Sequence, residues 1–399
     1  MGVKINKKFR SNRIFIVGGF IALVVFGFLF YMVSQKQRET QRINVVLEQQ
    51  IVKNNETILS IQAEIERLNN EDLRKTNTEV KKQMADLKIS FKAAVEAYEQ
   101  ILYLQDRGSK VSTQLSKFSS ILDFLAKNDL QNALKTTKEL VVEIDKEKVR
   151  LASLAAAPIP ANVPEIAQAP ISGYRRQKVT VDGTSFLVDV VSADLGSTKV
   201  IVDTASDGTC ANDCPVLPLA TYVSRSGAYA GVNGTYFCPE TYPSCASKKN
   251  SFDVLVMNKN KVYFNSENNV YSTVPVAVFS GSSARFIGQT SGWGRDTSVD
   301  SVIANRPLLV LDGNIMFGSG GEEKEASRGN RSFLGATGST GYIGVVHGAT
   351  VAESAKVLQA MGIKSAINLD DGGSTALWSG GYKVGPGRNL PNVVLFVKK

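Results

Sequence analysis

One histidine, His347, is all that 399 residues contain. That scarcity removes zinc sites built on two or three histidines of one chain. It also leaves any Ser–His–Asp triad dependent on His347 alone. Cysteine is nearly as sparse, with Cys210, Cys214, Cys238 and Cys245 as the full set. Between Gln35 and Ala157 there is no proline, and Gly108 is the only glycine. A long stretch so poor in breakers excludes a turn-rich fold there and points to helix. Charge is not strongly one-sided: 46 basic minus 37 acidic residues gives +9. Lys4, Lys7, Lys8, Arg10 and Arg13 crowd the first thirteen residues, so the remaining excess is thin. No nucleic-acid face is read from it, whereas an anionic envelope polymer or a lipid surface fits the same sign.

The length exceeds one ordinary domain, and composition divides it. Residues 1–13 form a basic tail. Residues 14–33, Ile14 to Val33, are apolar and uncharged. About 20 helical residues cross a bilayer core, so this run is expected to be a transmembrane helix. A cleaved signal peptide is the alternative, but its apolar core is shorter and ends in small residues. Here the run closes on Tyr31, Met32, Val33, Ser34 and Gln35. Basic residues before the span outnumber Lys36, Arg38 and Arg42 after it. The expected orientation is therefore single-pass in the cell membrane, N-terminus cytoplasmic and C-terminal part extracytoplasmic.

Residues 35–154 read as a helical stalk. Apolar residues recur at Leu47, Ile51, Ile58, Ile61, Ile65 and Leu68, slip, then resume at Leu73, Val80, Met84, Leu87, Phe91, Ala94, Tyr98 and Ile101. Such a seam wants a partner helix, so a coiled coil and a homo-oligomer are expected; a specific partner-binding module is the alternative. The slip predicts a stutter or a break. Gly108-Ser109 predicts a helix stop, with shorter helices near Val111 to Ala126 and Leu130 to Leu154. Asn128-Asp129 is placed to cap the second of these. Residues 155–172 hold four prolines, the composition of a semi-rigid extended linker.

Residues 173–399 change to short β-rich runs. Lys178 to Val181, Asp182-Gly183 and Thr184 to Val190 carry a hairpin signature. Val351 to Met361 reads as an amphipathic helix stopped by Gly362, and Ser365 to Leu369 as a buried strand. The fold class expected is an α+β C-terminal domain with a mixed β-sheet, large enough for a substantial core. A zinc site on the four cysteines lacks the compact spacing of zinc fingers. Export favours two disulfides, with three connectivities open.

Three clusters carry polar residues suited to chemistry. They are Gly231-Val232-Asn233-Gly234-Thr235-Tyr236-Phe237, Arg328-Gly329-Asn330-Arg331-Ser332-Phe333-Leu334-Gly335, and the segment Ala366 to Leu377 containing Asn368-Leu369-Asp370-Asp371-Gly372-Gly373-Ser374. In the third, a strand runs into adjacent carboxylates, two glycines and two hydroxyls. Glycines let backbone N–H groups converge on an anion. Carboxylates at a strand end serve as base, nucleophile or metal ligand. An acidic β-turn with no further role is the plainer reading of that segment alone.

Together the clusters resemble the phosphodiester glycosidase family, in which N-G-G-[FY]-F-like, R-T-A-[IL]-G-like and N-L-D-G-G-G-S-like stretches follow in this order. Asn305-Arg306-Pro307 with Leu308 to Gly313, and Gly387-Arg388-Asn389-Leu390-Pro391-Asn392, resemble further family segments. Thr235, Asp371 and Ser332-Phe333 depart from the pattern.

The resemblance implies hydrolysis of a sugar-1-phosphodiester at the anomeric carbon, with an envelope carbohydrate as partner. Asp370, Arg331 and Asp371 are the catalytic candidates, Arg331 as the phosphate clamp. Asn233, Gly234, Asn368, Gly372, Gly373, Ser374, Arg328 and His347 are the substrate-binding candidates, although Arg328 also reads as a loop charge and His347 as a structural histidine. No cofactor is assigned. A divalent metal held by Asp370 and Asp371 is a rival arrangement, and a catalytically inactive glycan-binding scaffold is the rival function.

Overall fold

The computed structural model describes residues 8–70, 72–155, 159–318 and 323–399, apart from the side chains of 8–22, 24, 70, 72–74, 152, 154, 155 and 323. Contacts divide the chain into one unit ending at Asp86 and a second running from Leu87 to Lys399. The first is helical: α1 spans Lys8–Asn70, and α2, Asp72–Asp106, begins in it. The expected slip between Leu68 and Leu73 falls at residue 71, outside the described residues. Leu47, Ile51, Ile58, Ile61, Ile65 and Leu68 are all exposed, so among the described residues nothing covers the apolar seam of α1. Among the described residues no helix is long and apolar enough to cross a membrane. Half of the span expected at Ile14 to Val33 lies where side chains are outside the described part.

The second unit starts inside the segment expected to be stalk. From Ser90 onward α2 buries one face through Ala94, Ala97, Ile101 and Leu104, a 3–4 spacing that matches the helical repeat. That face meets α3 (Ser112–Ala126) and α4 (Leu130–Ala155), which contribute Ile121, Leu125, Leu140 and Ile144 to a small separate core. The shorter helices expected after Gly108 are present, and they close with the end of α2 into a folded helical group. Gly108 breaks α2 with φ +78°, and Ser109 N donates back to Leu104 O at 3.0 Å, a glycine-enabled stop. Asp129 Oδ1 receives the Asn132 N–H at 3.2 Å, capping α4.

Nor does the proline-rich segment hang free. Ile166 N donates to Lys178 O at 3.1 Å, Lys178 N to Pro164 O at 2.9 Å, and Ala169 N to Met361 O at 3.1 Å. Its extended backbone gives the edge strand one N–H donor, from Ile166, and one carbonyl acceptor, from Pro164, which leaves fewer unpaired groups at that edge.

Strands then follow: β1 (Gly173–Val181), β2 (Thr184–Asp194) and β3 (Thr198–Thr204); after α5 (Leu219–Ser226), β4 (Ala230–Asn233), β5 (Val256–Met257), β6 (Tyr263–Phe264), β7 (Val276–Ser280), β8 (Ser283–Ile287), β9 (Ser301–Ala304), β10 (Leu308–Leu311) and β11 (Asn314–Ile315). A short α6 (Glu323–Ala326) precedes β12 (Gly329–Thr337) and β13 (Thr340–Ala349). Next come α7 (Val351–Ala360), β14 (Ser365–Asn368), β15 (Leu377–Ser379), β16 (Tyr382–Val384) and β17 (Asn392–Lys398). They build three sheets ordered β1-β2-β13-β12-β14-β10-β11, β16-β15-β4-β17-β3 and β6-β5-β9-β7-β8. The named strand pairs run antiparallel, and the mixed character expected of the sheet is confined to an isolated parallel bridge, Glu165 with Lys178.

Local chemistry explains the joints. In the β1–β2 hairpin Val181 faces Thr184 across Asp182 (φ +50°) and Gly183 (φ +76°), the left-handed pair that matches strand twist. Thr350 and Glu353 form a capping box at the start of α7. The main core lies between the sheets, with Val202, Val232, Leu255, Ile303, Leu334 and Phe396 at its centre. Each such fully buried side chain stabilises by about 1.5–3 kcal/mol. Helix α7 covers the outer face of the first sheet through Val351, Ala355 and Leu358. Helix α5 covers the second sheet through Leu219, Tyr222 and Val223.

Candidate active site

The three sequence clusters meet where the first two sheets come together. Pairing of β12 with β14 sets Phe333 opposite Asn368, so Ser332 and Arg331, still within β12, lie beside Leu369 and Asp370 where β14 ends. Strand β4 pairs with β17, Asn233 opposite Val393, and brings the first cluster in from the other sheet. The seam is then sewn by hydrogen bonds. Asn233 Nδ2 donates to Asp370 O at 2.7 Å, Asp370 N to Gly234 O at 2.9 Å, Ser332 Oγ to Asn233 Oδ1 at 2.8 Å and Leu369 N to Ser332 O at 2.9 Å. A Cβ on Gly234 would lie 2.7 Å from Asn392 O, so only glycine passes between the strands here. Thr235 fits by exchanging hydrogen bonds with the Asn392 amide, at 2.9 Å through its N–H and 2.8 Å through its hydroxyl.

The two adjacent carboxylates have different surroundings. Asp371 is bound on all sides: Oδ2 accepts from Arg331 Nη1 at 2.9 Å, Tyr236 OH at 2.9 Å and Asn368 Nδ2 at 3.0 Å, and Oδ1 from Ser332 N at 3.2 Å. Burial, then the two carboxylates, push the Tyr236 phenol well above its ordinary value, which keeps it a donor. Asp370 is almost completely buried and has no guanidinium directly on its oxygens among the described hydrogen bonds. Its Oδ1 accepts the Asp371 N–H at 2.9 Å. Burial pushes its carboxyl up to about 7, against the opposing pull of the Ser374 hydroxyl and Arg388. Asp371 is thus held in an ion pair with Arg331, while burial pushes the Asp370 carboxyl toward neutrality, where a proton-transfer group is useful.

Arg331 is only 2% exposed. Its Nε donates to Ala349 O at 3.0 Å, Nη1 to Asp371, and Nη2 to Lys324 O at 2.9 Å and to Ser327 O. The guanidinium fork is largely spent on protein. It can hold Asp371 in place, but in this arrangement it cannot present two free N–H groups to a phosphate.

Asp370, Asp371 and Arg331 nevertheless share one cavity of about 250 Å3, with Gly372, Gly373 and Ser374 on its floor. Sequence reasoning did not place two of its walls. Tyr242 and Arg388 form one, with the Arg388 guanidinium 5.9 Å from the Tyr242 ring centre. Tyr103, Asp106 and Arg107, from the end of α2, form another. Arg388 stands in a segment whose family likeness was visible, so that signal was available; Tyr242 and the α2 residues carry no local signal. The cysteines pair as Cys210–Cys214 and Cys238–Cys245. The second bridge closes the loop that bears Tyr242, and both of its cysteines line the cavity.

Other candidates go elsewhere. Asn233 is wholly buried, with both ends of its amide committed to Asp370 O, Ser332 and the Ala376 N–H. Asn368 is equally buried and spends its amide N–H groups on Tyr236, Leu369 O and Asp371. Both are framework to the site. Arg328 donates to Gly348 O at 2.9 Å and pairs with Glu353. His347 lies between Asp189 Oδ2 (2.7 Å from Nε2) and Asn330 Oδ1 (3.1 Å from Nδ1). Arg328 and His347 line an adjoining cavity of about 880 Å3, which shares Asp106, Arg107 and Gly372 with the first. Among the described residues no group of three His, Cys, Asp or Glu side chains is set to hold a metal. The arrangement in which Asp370 and Asp371 share one requires Asp371 oxygens that already accept N–H and O–H donors.

A comparison with curated proteins returns no match. Solved structures give distant likenesses. One is a hypothetical protein from Synechocystis, at 13% identity and TM-score 0.44 over 56% of this chain and 62% of that one, so the chain spans less than two thirds of its length. Another is the zebrafish N-acetylglucosamine-1-phosphodiester alpha-N-acetylglucosaminidase catalytic domain auto-inhibited by its pro-peptide, at 15% identity and TM-score 0.44 over 59% and 87%. The phosphodiester glycosidase family model matches residues 226–397. That stretch contains all three clusters, Tyr242 and Arg388, so the match to the phosphodiester glycosidase family takes in most of the candidate site.

Proposed function

We propose that the chain is a membrane-anchored hydrolase that cleaves sugar-1-phosphodiester bonds, with cell-envelope glycans as its substrates. The observation that carries this reading is the buried carboxyl of Asp370, pushed up to about 7, in a cavity walled by Arg388 and Arg331. In the proposed reaction water attacks the anomeric carbon, the C1–O bond breaks, and the phosphate monoester leaves with the bonding electrons. Asp370 takes the proton from water. Phosphate is a good leaving group, so the site needs charge complementarity more than a strong acid. Arg331 acts through Asp371, which it holds against Tyr236 and Ser332, and so sets the turn that carries Asp370.

Anchoring rests on the uncharged run Ile14 to Val33 and the basic residues before it. The exposed apolar seam of α1 supports self-association. A protease added to intact cells should digest a C-terminal tag; protection of that tag would reverse the orientation. For the activity, purified protein is offered a panel of sugar-1-phosphodiesters and release of free sugar is followed. Wild type should turn over at least one and Asp370→Asn none. Equal turnover by both would remove Asp370 from the reaction. Binding of the sugars with no turnover by the wild type would favour the glycan-binding scaffold instead.

A further inference from the structure

Asp106 is the last residue of α2, and it points into the cavity of Asp370. Its Oδ2 accepts a hydrogen bond from Tyr242 OH at 2.9 Å and pairs with Arg388 Nη2. The carboxylate also lies close over the glycine floor, since a Cβ built on Gly373 would come 2.9 Å from Asp106 Cγ and would collide with Arg388. Arg388 has no other carboxylate partner among the described ion pairs. An arginine and a phenol converging on one oxygen of an anion is the recognition geometry of a carboxylate or phosphate.

Two features separate this from a surface ion pair. Arg388 and Tyr242 are fixed by the domain itself, Arg388 through its N–H to Gly373 O at 2.8 Å and Tyr242 by the Cys238–Cys245 loop. Asp106, in contrast, reaches in from a helix whose own core is the separate α2–α4 cluster. Next to it Arg107 has a buried Nε with no partner, and its guanidinium lines the same cavity. Burial lowers the Arg107 pKa, while Tyr103 and Asp371 pull the other way.

We infer that Arg388 and Tyr242 form the phosphate subsite of the domain, and that the Asp106 carboxylate is an internal anion occupying that subsite until a phosphate group displaces it. Helix α2 is then a wall of the site that sets which anions gain entry: a ligand must outcompete a tethered carboxylate. A phosphate, with more acceptor oxygens and greater charge, can engage Arg388 and Tyr242 together with the one unpartnered Arg107 nitrogen, Nε, while Nη1 and Nη2 stay on Arg328 O and Ser327 Oγ. This inference rests on the phosphodiester reading only for the identity of the natural ligand.

Inorganic phosphate is the probe, and its binding to the full chain is measured by titration calorimetry. Occupancy by Asp106 lowers apparent affinity by the fraction of sites left open. Asp106→Ala should therefore bind phosphate about tenfold or more tightly than wild type. Asp106→Asn keeps the side-chain shape and loses the charge, and it should also gain affinity. Adding Arg388→Ala to Asp106→Ala should abolish the gain. Phosphate affinity unchanged in both Asp106 variants, or retained in the double variant, overturns the inference. The sugar-release assay separates this from failure of the functional reading. Tighter phosphate binding with no turnover of any sugar phosphodiester keeps the subsite and removes the reaction. Turnover with unaltered phosphate affinity does the reverse.

Discussion

Arg331 donates through Nη1 to the Asp371 carboxylate at 2.9 Å, with the two side chains only 2% and 9% exposed. The pair ties β12 to the turn after β14, and it explains how an aspartate is accommodated where the family pattern has glycine. Asp371 φ is −122°, an extended conformation open to any residue, and its carboxylate answers a buried guanidinium.

Breaking that pair leaves a charge stranded. Arg331→Ala should destabilise the protein by about 3–5 kcal/mol in denaturant unfolding. Asp371→Gly should also destabilise it, because Arg331 keeps its carbonyl acceptors and loses its counter-ion. In the double variant Arg331→Ala with Asp371→Gly, the losses should fall short of their sum by about 1 kcal/mol or more. Strict additivity would show that the two side chains are not coupled.

Asp370 gives a pH signature. Its carboxyl is raised from 3.8 to about 7 in the fold, so the native state holds the proton more tightly than the unfolded chain. Stability must then fall as pH rises between these two values and level off above the upper one. Asp370→Asn removes this dependence. Relative to wild type at pH 5, the variant should gain stability at pH 8, with an upper bound of about 4 kcal/mol for the full shift. Turnover by wild type should climb with pH through about 7 as Asp370 becomes the base. A rate that falls over that range would instead make the protonated acid the working form.

Asp189 behaves in the opposite sense. Burial works against its charge, but hydrogen bonds from His347, Arg176 and Tyr174 outweigh burial and bring its carboxyl down to about 2. A depressed carboxylate contributes stability above its unfolded value, and that contribution is lost as pH falls toward 2. Asp189→Asn should lower neutral-pH stability by about 2 kcal/mol or more. It should also flatten the acid limb of the stability curve between pH 5 and pH 2. The sugar-release rate should change little, since this cluster faces the other cavity; a rate lost in step with Arg388→Ala would contradict that separation.

The two disulfides should differ in what their loss does. Each closes a short loop, of sequence separation 4 for Cys210–Cys214 and 7 for Cys238–Cys245, and loops of this size contribute on the order of 2 kcal/mol. Only the second positions Tyr242. Serine replacement of Cys238 and Cys245 should raise the KM for a sugar phosphodiester more than serine replacement of Cys210 and Cys214, at similar cost in melting temperature. Equal KM values would mean the Tyr242 loop holds its shape without the bridge.

Much of the domain was legible because local chemistry decides it. Asp182-Gly183 between alternating strands dictates a hairpin, Gly108 stops a helix, and the apolar spacing of Val351 to Leu358 fixes the face that α7 buries. The site was half legible. Asp370, Gly372, Gly373 and Arg331 sit in contiguous motifs, and they do line one cavity. Arg328 and His347 stand equally close in sequence to those motifs, yet they line another. Along a strand successive side chains point to opposite faces, so neighbours in sequence are not neighbours in a pocket.

By itself the sequence determined the helical first part, the β-rich remainder, the position of the three polar clusters and the family they resemble, because each depends on residues close together in the chain. Only the tertiary structure decided which side chains face one another. Asp106 meets Arg388 across 282 positions, and Asn233 meets Asp370 across 137. No local pattern encodes such pairs, since they arise from how sheets and helices pack once their apolar faces are buried, and the burial that raises Asp370 exists only after that packing is complete.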